Sequence, residues 1–215
     1  MPPRGALICF EGGEGSGKST HSRKLVAELE GRGLPVVRTR EPGGTPLGEE
    51  LRELLLHHQD ELRPLEEFLL FSTARAELVN SVIRPALEGG TTVVLDRYYY
   101  SSLAYQGAAG VPLELMRAVT ATVVKDCVPD LVLLMDVLPE EGMLRCSRVK
   151  GEGSDRFERK DAGFHREVRR LYLHFAQEEP ERFRVIVSTP PHEVVFARVL
   201  EAALELLSSR GLAGG

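Results

Sequence analysis

The chain has 215 residues, 42% of them hydrophobic and 27% charged, with a formal net charge of −5. That length supports a single α/β domain whose core needs neither disulfide nor structural metal. The acidic balance argues against a dedicated nucleic-acid binder, and no apolar run approaches the roughly 18 residues that a membrane span requires.

In chain order, short apolar runs alternate with longer helical patterns. The first run, Ala6 to Glu11, meets a carboxylate too early to be the core of a signal peptide. Further strands are predicted at Pro35–Thr39, Thr91–Asp96, Asp130–Asp136 and Phe183–Val187. Between them, apolar residues recur at three- and four-residue spacing, as in Leu25 and Leu29, or Leu51, Leu54 and Leu55. The last such stretch, Val194 to Leu207, puts Val195, Val199, Ala203 and Leu206 on one face. Strands such as Val93-Val94-Leu95 are apolar throughout, as expected of strands buried on both faces. The alternation predicts a five-stranded parallel sheet with helices on both sides, in one domain over residues 1–215. Cys9, Cys127 and Cys146 form no C-x-x-C pair and read as reduced thiols of a cytoplasmic protein.

Between the first strand and the first helix stands Gly12-Gly13-Glu14-Gly15-Ser16-Gly17-Lys18-Ser19, which fits G-x-x-x-x-G-K-[ST], the P-loop. Glycines let backbone N–H groups turn inward around phosphate oxygens, and the helix N-terminus adds positive potential. Lys18 is expected on the β- and γ-phosphates of ATP and the Ser19 hydroxyl on Mg²⁺, with Thr20 beside them. The motif alone does not separate an ATPase, a GTPase switch and a small-molecule kinase. The guanine-reading [NT]-K-x-D is missing, since Val124-Lys125-Asp126-Cys127 fails at its first and fourth positions.

A partner carboxylate for the cation is expected at a strand tip. Asp96 and Asp136 both end apolar strands, and Asp96 is followed by Arg97, which joins a carboxylate and a guanidinium at the sheet edge where ligands bind. Asp136 runs into Val137-Leu138-Pro139-Glu140, an ordinary helix entry. Glu11, just before the P-loop, is the third candidate near the metal. Phe71 and Arg75 lie four apart on a predicted helix and share a face, so a flat ring and a multidentate donor are presented together.

Several stretches together resemble thymidylate kinases. They are Phe10-Glu11-Gly12 leading into the P-loop, Thr39-Arg40-Glu41-Pro42-Gly43-Gly44-Thr45, and Phe71-Ser72-Thr73-Ala74-Arg75. Asp96-Arg97-Tyr98, Ser101-Ser102-Leu103-Ala104-Tyr105-Gln106-Gly107 and Asp155-Arg156-Phe157-Glu158 follow in family order. The resemblance implies a P-loop fold with a short mobile lid, phosphorylation of dTMP by ATP with Mg²⁺, and a homodimer. It puts Phe71 and Arg75 on the thymine, Arg40 on the dTMP phosphate, and Arg97 where donor and acceptor phosphates meet. It also puts Ser102, Tyr105 and Gln106 on the nucleotide, with Tyr105 crowding a 2′-hydroxyl. The lid is expected over roughly 145–160, where Arg148, Lys150 and Arg156 are candidate catalytic cations. No arginine lies inside this P-loop, which matches family members that supply such charges from the lid. A kinase for another deoxynucleotide or for a nucleoside, and a non-catalytic P-loop nucleotide-binding protein, are the alternatives.

Overall fold

A computed structural model describes residues 3–57, 62–150, 156–157 and 159–213, with backbone only at 149 and 150. Its strands are β1 (Leu7–Glu11), β2 (Val36–Arg40), β3 (Thr92–Asp96), β4 (Leu131–Asp136) and β5 (Phe183–Val187). They form one five-stranded sheet in the order β2-β3-β1-β4-β5, and every pairing is parallel. Each boundary falls within one residue of the sequence expectation. Pro35 illustrates why the ends shift: it has no N–H for the ladder, yet its carbonyl accepts from the Thr92 N–H.

The helices are α1 (Lys18–Gly31), α2 (Pro46–His57), α3 (Pro64–Leu78), α4 (Arg84–Glu88), α5 (Tyr99–Ala108), α6 (Leu113–Val124), α7 (Pro139–Lys150), α8 (Ala162–Glu178) and α9 (His192–Ser209). A π-helical turn, Val79–Ile83, joins α3 to α4. Pro85 accounts for it, because the ring crowds the carbonyl four residues back and removes one helical donor, so the preceding turn widens. Among the described residues no helix is long and apolar enough to cross a membrane.

Period-two alternation divides the sheet between two cores. Leu7, Cys9, Val93, Leu95, Val132 and Leu134 pack on one face with side chains of α3, α5, α6 and α8. Ile8, Phe10, Val94, Leu133 and Met135 pack on the other with Leu25 and Leu29 of α1 and Val195, Val199 and Ala203 of α9. The three central strands are therefore buried along almost their whole length, while β2 and β5 are the edges. Parallel β1 and β3 end side by side, with Phe10 opposite Asp96. That register sets the P-loop next to the Asp96-Arg97 turn.

Candidate active site

The loop after β1 has the shape its glycines dictate. Gly12, Gly15 and Gly17 take φ of 136°, 64° and 86°, a region that side chains disfavour. Space forbids a side chain as well. A Cβ on Gly12 would lie 2.4 Å from the Met135 carbonyl oxygen, and one on Gly15 would lie 2.0 Å from that of Gly142. Gly17 caps α1, whose first residue, Lys18, folds its side chain back over the loop. The ammonium donates to the carbonyls of Gly12 (3.0 Å) and Gly13 (2.6 Å) and to Ser16 Oγ (3.2 Å). Burial pushes it down to about 8; the Arg97 charge adds to this, and Glu14, Asp96 and Glu11 oppose it.

Arg97 adopts φ 67°, a left-handed backbone conformation unusual for a residue other than glycine. Its guanidinium donates to the Gly12 carbonyl (3.2 Å), Ser101 Oγ (3.1 Å) and Glu14 Oε1 (2.7 Å). Tyr105 Oη donates to the same Glu14 oxygen at 2.8 Å. Burial works to raise the Glu14 carboxyl, but the Arg97 and Lys18 charges and the Tyr105 bond outweigh it and hold the group at about 2. Asp96 lies at the β3 tip, with Arg38 of the neighbouring strand 3.3 Å from Oδ2. The other strand-tip aspartate is otherwise engaged: Arg169 grips both oxygens of Asp136, at 2.7 and 2.9 Å.

These groups open into one cavity of about 320 Å³. Glu14 to Thr20, Asp96 and Arg97 line it, and so do Phe71, Arg75, Ser102, Tyr105 and Gln106. Arg75 is 1% exposed, a burial tolerable for a guanidinium only with a partner. That partner is Glu41, whose Oε2 accepts from Nε (2.8 Å) and Nη2 (2.6 Å). Nη2 also donates to Ser102 Oγ at 3.0 Å, and the Tyr98 ring lies 5.5 Å beneath the guanidinium. Phe71 meets Phe157 at a ring separation of 6.1 Å.

Other expected site residues lie elsewhere. Glu11 is fully buried and does not line the cavity. Its carboxylate accepts from the Tyr98 N–H (2.9 Å), Ser101 Oγ (2.6 Å) and Tyr172 Oη (3.2 Å). Burial raises its pKa despite those bonds. It thereby holds the turn that carries Arg97. Arg40 is not among the residues that line the cavity and pairs with Glu49 at 2.9 Å, where Glu49 also fixes the following turn through the Gly44 N–H. Arg156 is bound to Glu67 of α3 at 2.7 Å and stacks on Phe157 at 5.0 Å. Arg148 is exposed on α7. The side chain of Lys150 and residues 151–155 and 158 of the expected lid lie outside the described residues.

Some participants carry little signal in the sequence. Glu41 lies within a noted segment, but nothing local marks it as the Arg75 partner. Glu67 binds both Arg156 and the Gln106 amide (3.1 Å). Arg52, Leu56, Cys146 and Phe157 complete the cavity wall. Arg145 reaches the Gly15 carbonyl at 3.4 Å and that of Ser188 at 3.1 Å, tying α7 to the P-loop and to the end of β5.

Residues 10–199 match the family model for thymidylate kinase. The chain belongs to the thymidylate kinase family. It is 47% identical over 203 residues to a thymidylate kinase of Deinococcus radiodurans, an overlap of 94% of this chain and 98% of that one. A thymidylate kinase of Methylobacillus flagellatus gives the same identity and coverage. Among solved structures, the crystal structure of thymidylate kinase from Ehrlichia chaffeensis superposes with a TM-score of 0.76 at 31% identity, covering 94% of this chain and 99% of that one. The P-loop architecture expected from the sequence is thus the fold of a family member.

Proposed function

We propose that this chain transfers the γ-phosphoryl group of ATP to dTMP, giving ADP and dTDP, inside the cavity described above. The observation that carries this reading is that the P-loop and the Phe71–Arg75 wall line one and the same cavity. A donor triphosphate and a flat acceptor base can therefore be held end to end. The acceptor is itself a phosphate, anionic near neutral pH, so no general base is needed. Catalysis rests on alignment, exclusion of water and the spreading of charge.

In this reading, backbone N–H groups of Gly13 to Ser19 hold the donor phosphates, and Lys18 exchanges its loop carbonyls for phosphate oxygens. Arg97, already braced by Glu14 and Ser101, presents its remaining donor capacity where the two phosphates meet. Phe71 stacks on the base and Arg75 donates to a ring carbonyl. The Ser19 hydroxyl and the Asp96 carboxylate are both hard oxygen donors lining the cavity, and they fit Mg²⁺ sharing its remaining positions with phosphate and water. The cation would supply neutralisation of charge developing on the phosphate oxygens. Arg148 and Lys150 remain candidates for further positive charge from the C-terminal end of α7. The exposed Leu65 and Leu69 of α3 suit a homodimer contact, and cysteines that form no disulfide among the described residues suit the cytoplasm.

Coupled ADP release with MgATP and a panel of dTMP, dUMP, dCMP, dGMP, AMP and thymidine tests the assignment. Strong preference for dTMP is expected. Preference for a purine or for the unphosphorylated nucleoside would refute the roles given to Phe71 and Arg75. ATP hydrolysis indifferent to every acceptor would remove the kinase reading itself.

A further inference from the structure

Arg38 joins two groups that belong to different elements. It stands opposite Val94, so Asp96 is its diagonal neighbour on the same face of β3, within reach of a long side chain. Its Nη2 donates to Asp96 Oδ2 at 3.3 Å. Its Nε donates to Ser22 Oγ at 3.1 Å, and that hydroxyl in turn donates to the Ser19 carbonyl at 3.3 Å. Ser22 is fully buried, one turn after Ser19 on α1. A single guanidinium thus ties the turn that carries the Ser19 hydroxyl to the Asp96 carboxylate.

Ser19 and Asp96 line the cavity and Arg38 does not, so Arg38 acts on it from behind. The two Asp96 oxygens are treated differently. Oδ2 is taken by Arg38. Oδ1 accepts from no group among the described residues, yet it is not one of the buried atoms left without a partner, so part of its surface is open.

We propose that Arg38 is a positioning residue that sets which divalent ion the site prefers: by holding Oδ2 it leaves Asp96 a single oxygen to offer, and by holding Ser22 it fixes that oxygen relative to the Ser19 hydroxyl. The inference rests on the Mg²⁺ reading above and deepens it. Mg²⁺ demands near-ideal octahedral geometry and keeps several waters, whereas Ca²⁺ accepts more oxygens and often both of one carboxylate. An Asp96 restricted to one oxygen at a fixed place therefore favours the smaller ion. Groups that hold a metal's ligands, without touching the metal, tune its affinity in this way.

The test uses β,γ-imido-ATP, which binds without phosphoryl transfer, and reads its Kd by calorimetry in saturating Mg²⁺, in saturating Ca²⁺ and in EDTA. The decisive quantity is the Kd in Ca²⁺ divided by the Kd in Mg²⁺. A lost positive charge or a displaced P-loop acts alike on both divalent complexes and leaves that ratio unmoved. In Arg38→Met, which keeps an unbranched stem without its donors, the ratio is expected to fall about tenfold from wild type. Ser22→Ala, which only frees Nε, should move it the same way by less. A folded Arg38→Met protein with the wild-type ratio overturns the inference, and if that variant does not fold, a wild-type ratio in Ser22→Ala does so. A fall that persists undiminished in an Asp96→Asn background also overturns it, because the effect would then run through another group. Wild-type binding equally tight in Mg²⁺ and in EDTA would refute the Mg²⁺ reading, and this inference with it.

Discussion

Replacing Gly142 with alanine probes whether helix α7 sets the shape of the P-loop. Gly142 lies in the first turn of α7 with its backbone against the loop. A Cβ there would come 2.2 Å from the Glu14 carbonyl oxygen and 3.2 Å from Val137 Cγ1. The near atom is main chain, so no rotamer change can relieve the contact. Opening 2.2 Å to a tolerable 3.2 Å requires helix and loop to part by about 1 Å at the peptide that precedes Gly15. Helix propensity favours alanine by up to about 1 kcal/mol, and overpacking costs about 1–3 kcal/mol, so the net loss of stability should be about 2 kcal/mol or less. Catalysis should suffer more. The same loop carries the Gly12 and Gly13 carbonyls that hold Lys18, and a misplacement of about 1 Å in such a site costs on the order of 10²-fold in rate. Saturating coupled ADP-release assays with a thermal melt separate the two effects. Gly31→Ala is the control: it lies at the end of α1, where an added Cβ meets nothing within 4 Å, and should leave turnover unchanged. Wild-type kcat and ATP KM in a folded Gly142→Ala protein would refute the claim that this contact shapes the loop.

Two further predictions concern pH. Burial, aided by Arg97, holds Lys18 at about 8 in the free enzyme, so its charge is lost above that pH. The value of kcat/KM for ATP should then fall about tenfold per pH unit, while the kcat profile breaks at higher pH because bound phosphate favours the ammonium. A kcat/KM that stays level up to about pH 10 would exclude this role for Lys18. His21 is pushed down as well: burial, with His192 and Lys24 adding, lowers it from 6.5 to about 4. It is neutral in the fold, so the unfolded chain takes up the proton first and stability declines as pH falls from 6.5 towards 4, by at most about 3 kcal/mol. Urea midpoints at about pH 7.5 and pH 5 should diverge for wild type and much less for His21→Leu; an equal divergence in both would assign the acid sensitivity elsewhere.

What the sequence made legible was local. The three central strands are largely apolar runs of five or six residues, and burial on both faces leaves them no competing periodicity. The P-loop is legible because Gly12, Gly15 and Gly17 answer a backbone demand that side chains disfavour. Charge partnership is different, because it is set by register and helix placement between distant segments. Arg38 and Arg40 are two apart on β2, and nothing local says which turns towards Asp96. The sheet settles it: Arg40 lies beside the Asp96 backbone, yet its side chain is drawn outward to Glu49, while Arg38 reaches the carboxylate. Glu11 precedes a phosphate loop, a natural place for a cation-binding carboxylate, but the N–H of Tyr98 and the hydroxyls of Ser101 and Tyr172 close around it across 87 to 161 residues of chain. Arg156 was legible as a basic residue of the expected lid, and Glu67 on a helix some ninety positions earlier binds it. In each case the charge was visible and its direction was not. A guanidinium or carboxylate in this fold goes to whichever opposite charge or hydrogen-bond donor the topology brings within about 3 Å, and desolvation makes that choice binding once the group is buried.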